Sequence, residues 1–253
     1  MAAPPAHVDL WEHRALSVAA LGRVGRHAHA AAALLVGIDG MFSIRERGDW
    51  RRTRTALIPA GVTHELACGT TLMATLYLFP TTGEASRLAA RLGLSEASLR
   101  VDFELPAGFT AWLAAVHGGD HDRATTGAGL DALVGGPLRA PALDPRVLQT
   151  AQRLQEGLCD PPPMQALAEE VGLSESRLMH LFKAEVGIPV RRFRAWARMR
   201  SVTQNVARGD SLTMAALASG FADSAHMSHA FRSMFGIAAS TVLNPHSRLR
   251  AEG

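Results

Sequence analysis

Two stretches of the carboxyl-terminal half can be laid over one another, and this duplication constrains the fold more than any other feature. MQALAEEVGLSESRLMHLFKAEVG, 164–187, carries Ala168, Gly172, Leu178, Phe182 and Gly187. Around LASGFADSAHMSHAFRSMFG, 217–236, the counterparts are Ala216, Gly220, Met227, Phe231 and Gly236. The first two pairs are 48 residues apart and the last three 49, so the second copy has one extra residue in its turn. A supersecondary unit used twice is the economical reading of such repetition. The unit reads as helix, tight turn, helix. A small alanine lets the two helices approach, and glycine takes the turn's positive backbone angle. Ser174 and Asp223 are placed to cap the second helices, while Leu178 with Phe182 and Met227 with Phe231 form i,i+4 pairs that turn inward.

The outward faces of those second helices hold short, neutral hydrogen-bonding groups instead of the charges that ordinarily solvate a surface helix. In a helix-turn-helix unit the second helix enters the DNA major groove, where such groups read base edges. The candidate readers are Ser176, Met179 and His180 in the first copy, flanked by Arg177 and Lys183 for phosphates. In the second copy they are Ser224, Ala225, Ser228 and His229, with His226 and Arg232 alongside. One such face would equally suit a helical bundle; two in matched register favour DNA.

Between the copies runs IPVRRFRAWARMRSVTQNVARG, 188–209, with Pro189 at the start and Gly209 at the stop. Eighteen helical residues span roughly 27 Å, a rod suited to holding two recognition helices near the ~34 Å spacing of successive major-groove faces. Arg191, Arg192 and Arg194 are candidate phosphate contacts, and no acidic residue lies between Glu185 and Asp210. The net charge of the 253-residue chain is only +3, but residues 146–253 hold 13 Lys+Arg against 9 Asp+Glu. The local surplus therefore carries more meaning than the total.

Up to about Pro80 the texture differs: SVAALGRV, ALLVGIDG, MFSIRERG, TALIPAG and TLMATLYLFP read as strands separated by turns. From Gly83 it becomes helical, with HGGDHDRATTGAG expected as a loop. The expected division is a β-rich region over 1–80, helices for dimerisation or interdomain contact over 81–132, a linker over 133–145 and helices over 146–253. Asp144 and Pro145 read as the cap and first residue of the helix that follows. Two cysteines are too few for a disulfide scaffold and fit a reducing compartment. With neither a signal-peptide pattern nor a membrane-length apolar run, a cytoplasmic location without membrane contact is expected.

Residues 144–243 resemble the DNA-binding domain of the AraC/XylS family of bacterial transcription regulators. The resemblance rests on LAEEVGLSESRLMHLFKAEVG, the Arg198-Met199 pair and LASGFADSAHMSHAFRSMFG. It implies two helix-turn-helix units joined by a long helix, bound to promoter DNA. It also implies a homodimer, and RNA polymerase as a partner if the protein is an activator. GIPV keeps the proline that follows the first unit in this family, whereas GIAAS replaces the second with Ala238 or Ala239; His180 and His229 stand where many members carry arginine.

In the first half, His27 and His29 form H-x-H, and Pro59, Gly61 and His64 form P-x-G-x-x-H. These resemble the two short motifs of cupin β-barrels, a common sensing domain of AraC-family members. The overall expectation is thus an α+β, two-domain chain: a cupin-like β-barrel plus helices, then an all-α domain. With alternate residues sharing a strand face, His27 and His29 would point into one lumen, and His64 and Cys68 would share a face on another strand. Three imidazoles and a thiolate would suit Zn²⁺, Ni²⁺ or Cu²⁺ as an effector. An organic effector, or histidines hydrogen-bonded in an apolar pocket, fits the same residues, and no cofactor is required. The competing reading is a cupin metalloenzyme fused to a DNA-binding domain. The glutamate such enzymes carry after H-x-H is missing, since Ala33 and Leu34 stand there, so an enzyme is not expected.

Overall fold

The computed structural model describes residues 5–95, 97–137 and 143–251. Among the described residues one sheet has nine strands, the first eight from the first half and the last from the end of the chain: β1 (His7–Leu10), β2 (Arg14–Ala28), β3 (Ala32–Gly37), β4 (Phe42–Arg45), β5 (Arg51–Thr53), β6 (Thr55–Ile58), β7 (Thr63–Leu78), β8 (Arg100–Val101) and β9 (Arg248–Ala251). The pairing path runs β8-β6-β3-β7-β2-β1-β9, with β4 joining β7 and β5. β2 and β7 are long enough to bend and serve two parts of the sheet. The end of β7 pairs with β3, and its beginning pairs with β4.

Their shared register contains a bulge that matters for the site. Val24 lies opposite Leu66 and His27 opposite His64, so β2 spends three steps where β7 spends two. The extra residue lets both Val24 and His27 face inward while Gly25 and Arg26 face out. A bulge leaves a backbone group without its ladder partner, and the Gly25 amide uses that freedom to bond elsewhere.

The helices are α1 (Glu84–Arg91), α2 (Phe109–Gly118), α3 (Arg123–Val134), α4 (Pro145–Glu156), α5 (Met164–Glu170), α6 (Glu175–Val186), α7 (Val190–Ala207), α8 (Leu212–Ala218) and α9 (Ser224–Phe235). The expected loop HGGDHDRATTGAG is mostly α3. Asp122 caps it by accepting from the Thr125 amide at 2.7 Å, which overrides the weak helix propensity of its glycines and threonines. The helix also reaches Val134, inside the expected linker, while residues 138–142 of that linker lie outside the described residues. α1 to α3 cover one face of the sheet in a core with Leu16, Leu34 and Leu76. Arg14, buried on β2, ties that layer down through ion pairs to Glu84 and Asp131.

The carboxyl-terminal helices share a continuous core with the sheet. Val8, Leu10 and Phe79 lie in the same apolar cluster as Phe182, Phe193 and Phe231, and the Phe79 and Trp196 rings meet edge to face at 4.3 Å. The chain then departs from a purely helical ending. β9 returns to the first half and pairs in parallel with β1, His7 opposite Arg248. Arg250 donates to both carboxylate oxygens of the buried Asp9. That pairing joins residues 241 positions apart, a separation that local patterns do not encode.

Candidate nucleic-acid interface and effector site

Both repeats form as helix-turn-helix units. α5 and α6 make the first, α8 and α9 the second, and α7 joins them over 18 residues. Gly172 and Gly220 take φ of 67° and 78° in the turns. Ser174 accepts from the Arg177 amide and Asp223 from the His226 amide, so the caps are those the repeat implies. Leu178 and Phe182, like Met227 and Phe231, are buried.

The outward faces are open. Ser176, Arg177, Met179, His180 and Lys183 on α6 are all exposed. On α9, Ala225, His226, Ser228, His229 and Arg232 are exposed, and Ser224 is half-buried at the first position. Met179 is 44% exposed, unusual for so apolar a side chain, and it sits among the candidate base readers. Contact with a thymine methyl would use it.

The arginines of α7 divide into two kinds. Arg191 is exposed and Arg192 half-buried. Arg194 is held differently: its guanidinium donates to the Pro162 carbonyl, tying α7 to the segment before α5. Burial, then the nearby Arg198 charge, lowers its pKa. That bond makes Arg194 a structural strut between α7 and the segment before α5, which sets it apart from the exposed Arg191. Arg198 likewise donates to the Leu158 carbonyl.

In the first half the three histidines do converge. The ring centroids of His27 and His64 are 4.2 Å apart, His27 and His29 4.6 Å, and His29 and His64 4.9 Å. His27 is the penultimate residue of β2 and His29 lies just beyond the strand, so the two are brought together by the strand end and not by a shared strand face. His27 Nδ1–H donates to the Gly25 carbonyl at 2.7 Å and His64 Nδ1–H to the Val62 carbonyl at 3.0 Å. Because a carbonyl only accepts, those bonds leave both Nε2 atoms as bare lone pairs in the neutral ring. His27 Nε2 faces His29 Nε2 at 2.9 Å, and His64 Nε2 is buried without a hydrogen-bond partner. Burial, then the His64 ring, holds the His27 pKa down to about 3. Burial lowers those of His29 and His64 as well.

Cys68 is not part of this group. Among the described residues the cluster able to share an ion here is His27, His29 and His64 alone. Four residues along a strand carry Cys68 about 13 Å from His64, into a separate apolar core with Phe42 and Met73. Burial there pushes its thiol up to about 12, so it stays protonated.

The structure adds contacts that the sequence did not disclose. Each repeat touches the sheet beside the histidines through the glycine that ends its second helix. The Gly25 amide donates to the Gly236 carbonyl at 3.1 Å, and a Cβ on Gly236 would lie 2.6 Å from His27 Nδ1. On the other side, a Cβ on Gly61 would meet Ile188 at 3.4 Å and the Gly187 carbonyl at 3.7 Å. The Gly61 amide donates to the His29 carbonyl at 2.8 Å. A cavity of about 90 Å³ opens at this junction, with Tyr77, Phe235, Arg200, His27 and His29 in its wall. Only the glycines themselves, and the P-x-G-x-x-H spacing, signalled any of this in the sequence.

Comparisons with known proteins agree with the architecture. Residues 167–244 match the family model described as a helix-turn-helix domain. The 1.65 Å structure of ToxT from Vibrio cholerae is 11% identical, with a TM-score of 0.59 over 90% of this chain and 97% of that one. ToxT of strain SCE256 bound to an unsaturated fatty acid is 11% identical, with a TM-score of 0.59 over 91% and 94%. An AraC-type regulator structure from Chromobacterium violaceum aligns with 40% of this chain and 95% of its own length, at 23% identity and a TM-score of 0.36. No curated protein sequence matches the chain. Among the described residues no helix is long and apolar enough to cross a membrane.

Proposed function

We propose that this chain, an AraC-type transcription regulator by its paired helix-turn-helix units, binds promoter DNA in a sequence-specific way under the control of an effector at the junction between sheet and helices. The observation that carries the reading is the pair of capped, exposed helices α6 and α9, whose outward groups suit base edges and whose inward groups are core. Ser176, Met179 and His180 read bases from the first unit, and Ser228 and His229 from the second. Arg177, Lys183, Arg191 and Arg232, all exposed, neutralise phosphates.

The junction is the effector site because a ligand there touches both halves. An effector acts only through unequal affinity for two states, and a site shared by the sheet, α7 and the end of the second repeat supplies that inequality. The fatty-acid complex of ToxT supports an effector in this fold. Here, however, the cavity of about 90 Å³ is smaller than the ~150 Å³ cavity that takes up benzene. A long acyl chain enters only if Phe235 and Trp196 draw away from the sheet. The enzyme alternative lacks support at the residue level: Ala33 and Leu34 are buried in the sheet, and no carboxylate joins the three histidines among the described residues.

Selection of genomic fragments by the purified full chain tests the reading. Recovery of a common sequence element, lost when His180 and His229 are both replaced by alanine, is expected. Equal retention of all fragments would overturn it.

A further inference from the structure

We infer that the outer face of the sheet around β2, carrying Arg23, Arg26 and Arg52, lies against the phosphate backbone of the duplex beside the stretch read by α9. The inference rests on the DNA-binding reading above and adds to it a contact surface from the other half of the chain.

The first ground is how the strands gather charge. Residues 1–145 hold 13 basic residues against 14 acidic, yet 23–54 alone holds seven arginines against Asp39, Glu46 and Asp49. Strand register puts several of them on one face. Arg23 lies opposite Ala67, Ala67 opposite Ser43, and Ser43 opposite Arg52, and directly opposed residues share a face. That face is the outer one, because the next residue along each strand, Val24, Leu66, Ile44 or Thr53, is buried. The bulge turns Gly25 and Arg26 outward as well. Glu65 on the same face is neutralised by Arg45 at 3.0 Å, whose guanidinium also covers the Trp50 ring at 4.7 Å. Arg23, Arg26 and Arg52 are exposed, and among the described residues none of the three has an ion pair. They form a surface of one sign.

The second ground is continuity with the recognition helix. Ala225, His229 and Arg232 are exposed along one stripe of α9 that runs on to Gly236. Gly236 accepts from the Gly25 amide at 3.1 Å, and Arg26 follows Gly25. One helical turn, one hydrogen bond and one peptide separate Arg232 from Arg26, so their Cα atoms are at most about 17 Å apart. Each DNA strand carries a phosphate every ~3.4 Å along the axis, so a backbone passing Arg232 meets Arg26 within about five base pairs. A recognition helix sets its amino-terminal residues at base edges. Its carboxyl end then emerges toward the backbone, and here that end is seated on the sheet.

Two lesser roles leave part of the pattern unexplained. Cations beside a helix carboxyl terminus offset its dipole, but that effect falls off within the last turn. Arg52 stands three strands, ~14 Å, from Arg23. Charge on an edge strand discourages pairing between copies, which covers Arg52 on β5 but not Arg23 or Arg26, where β2 lies between β7 and α9. One polyanion along the face engages all three. Phosphate contacts ask for charge and reach, which arginine supplies, and not for a fitted groove.

The test measures fluorescence anisotropy of the full chain on a selected fragment at several salt concentrations. Combining Arg23→Ala, Arg26→Ala and Arg52→Ala should lower the slope of log affinity against log salt by about 2.7, at ~0.9 per phosphate. The preferred sequence should stay the same, since backbone contacts carry no sequence information. Arg100→Ala, exposed on the far edge strand β8, should leave the slope unchanged. Hydroxyl-radical footprinting with the unaltered chain should show protection running past one end of the selected element for each bound chain. A slope changed by less than one contact, or protection that stops with the element, would overturn the inference and leave this face to an acidic protein surface or to solvent. The footprint needs no substitution, so a variant that fails to fold does not blunt the test. Failure of fragment selection would end both readings, whereas selection that succeeds with an unchanged slope ends this one alone.

Discussion

The amide of Gly25 donates to the carbonyl of Gly236 at 3.1 Å, joining a bulge in the sheet to the residue that ends α9. The closeness depends on both residues being glycine. Gly236 sits at φ 72° and its Cβ position falls within 2.7 Å of both His27 and the Gly25 carbonyl. Bulge, cap and histidine cluster thus meet at one point, where the two halves of the chain touch.

Gly236→Ala should therefore pay twice. The left-handed backbone costs about 1–2 kcal/mol for a residue with a Cβ, and the methyl group must then push the sheet away. Gly172→Ala pays only the first part, since nothing lies within 4 Å of its Cβ position at φ 67°. Denaturant unfolding should show a larger loss for Gly236→Ala, and amide exchange near Gly25 should rise in that variant alone. Equal losses would mean that the junction yields freely.

Lys183→Ala and Arg194→Ala should separate phosphate contact from structural support. Loss of one phosphate contact lowers the slope of log affinity against log salt by about 0.9, and Lys183 is exposed on α6 to make one. Arg194 is bonded to the Pro162 carbonyl, so its removal should leave that slope unchanged and lower the melting temperature. Fluorescence anisotropy on a selected fragment at several salt concentrations distinguishes them.

His229→Ala should weaken the selected fragment by about 1–3 kcal/mol, the worth of one base contact, and relax preference at a single base position. Random-sequence DNA should bind nearly as before. A uniform loss on both would place His229 against the backbone.

Acid should release the terminal strand. Asp9 is penalised by burial, yet its bonds to His7 and Arg250 bring its pKa below the ordinary 3.8. A carboxyl depressed in the folded state contributes stability that is present above its unfolded value and is lost as pH falls through the folded one. Protection of the β9 amides should persist at pH 5 and fail below pH ~3.8. Arg250→Ala, which leaves the buried carboxylate with its His7 bond but without the guanidinium, should cost about 3 kcal/mol at neutral pH, seen as proteolysis near residue 248.

The repeats were legible in the sequence because everything that specifies them lies within some twenty residues: apolar spacing, a capping Ser174 or Asp223, and a turn glycine. Their outward faces followed from the same spacing, so the candidate base readers came with the helices. The histidine cluster was half legible. H-x-H and P-x-G-x-x-H named its members, but simple strand alternation also admitted Cys68 and placed His27 and His29 on one strand.

What only the tertiary structure decided depends on long-range register. The bulge at Gly25–Arg26 aims His27 inward opposite His64, and a one-residue slip of this kind leaves no periodic mark. Whether an arginine of α7 meets solvent or the Pro162 carbonyl depends on how α7 packs, and a run of arginines reads alike in both cases. The return of Arg248–Ala251 to β1 pairs opposite ends of the chain, through backbone hydrogen bonds that any short extended segment could make. Helical periodicity and caps are written locally; partners across the fold are chosen by burial and by backbone groups seeking acceptors, and those reveal themselves only once the chain has closed on itself.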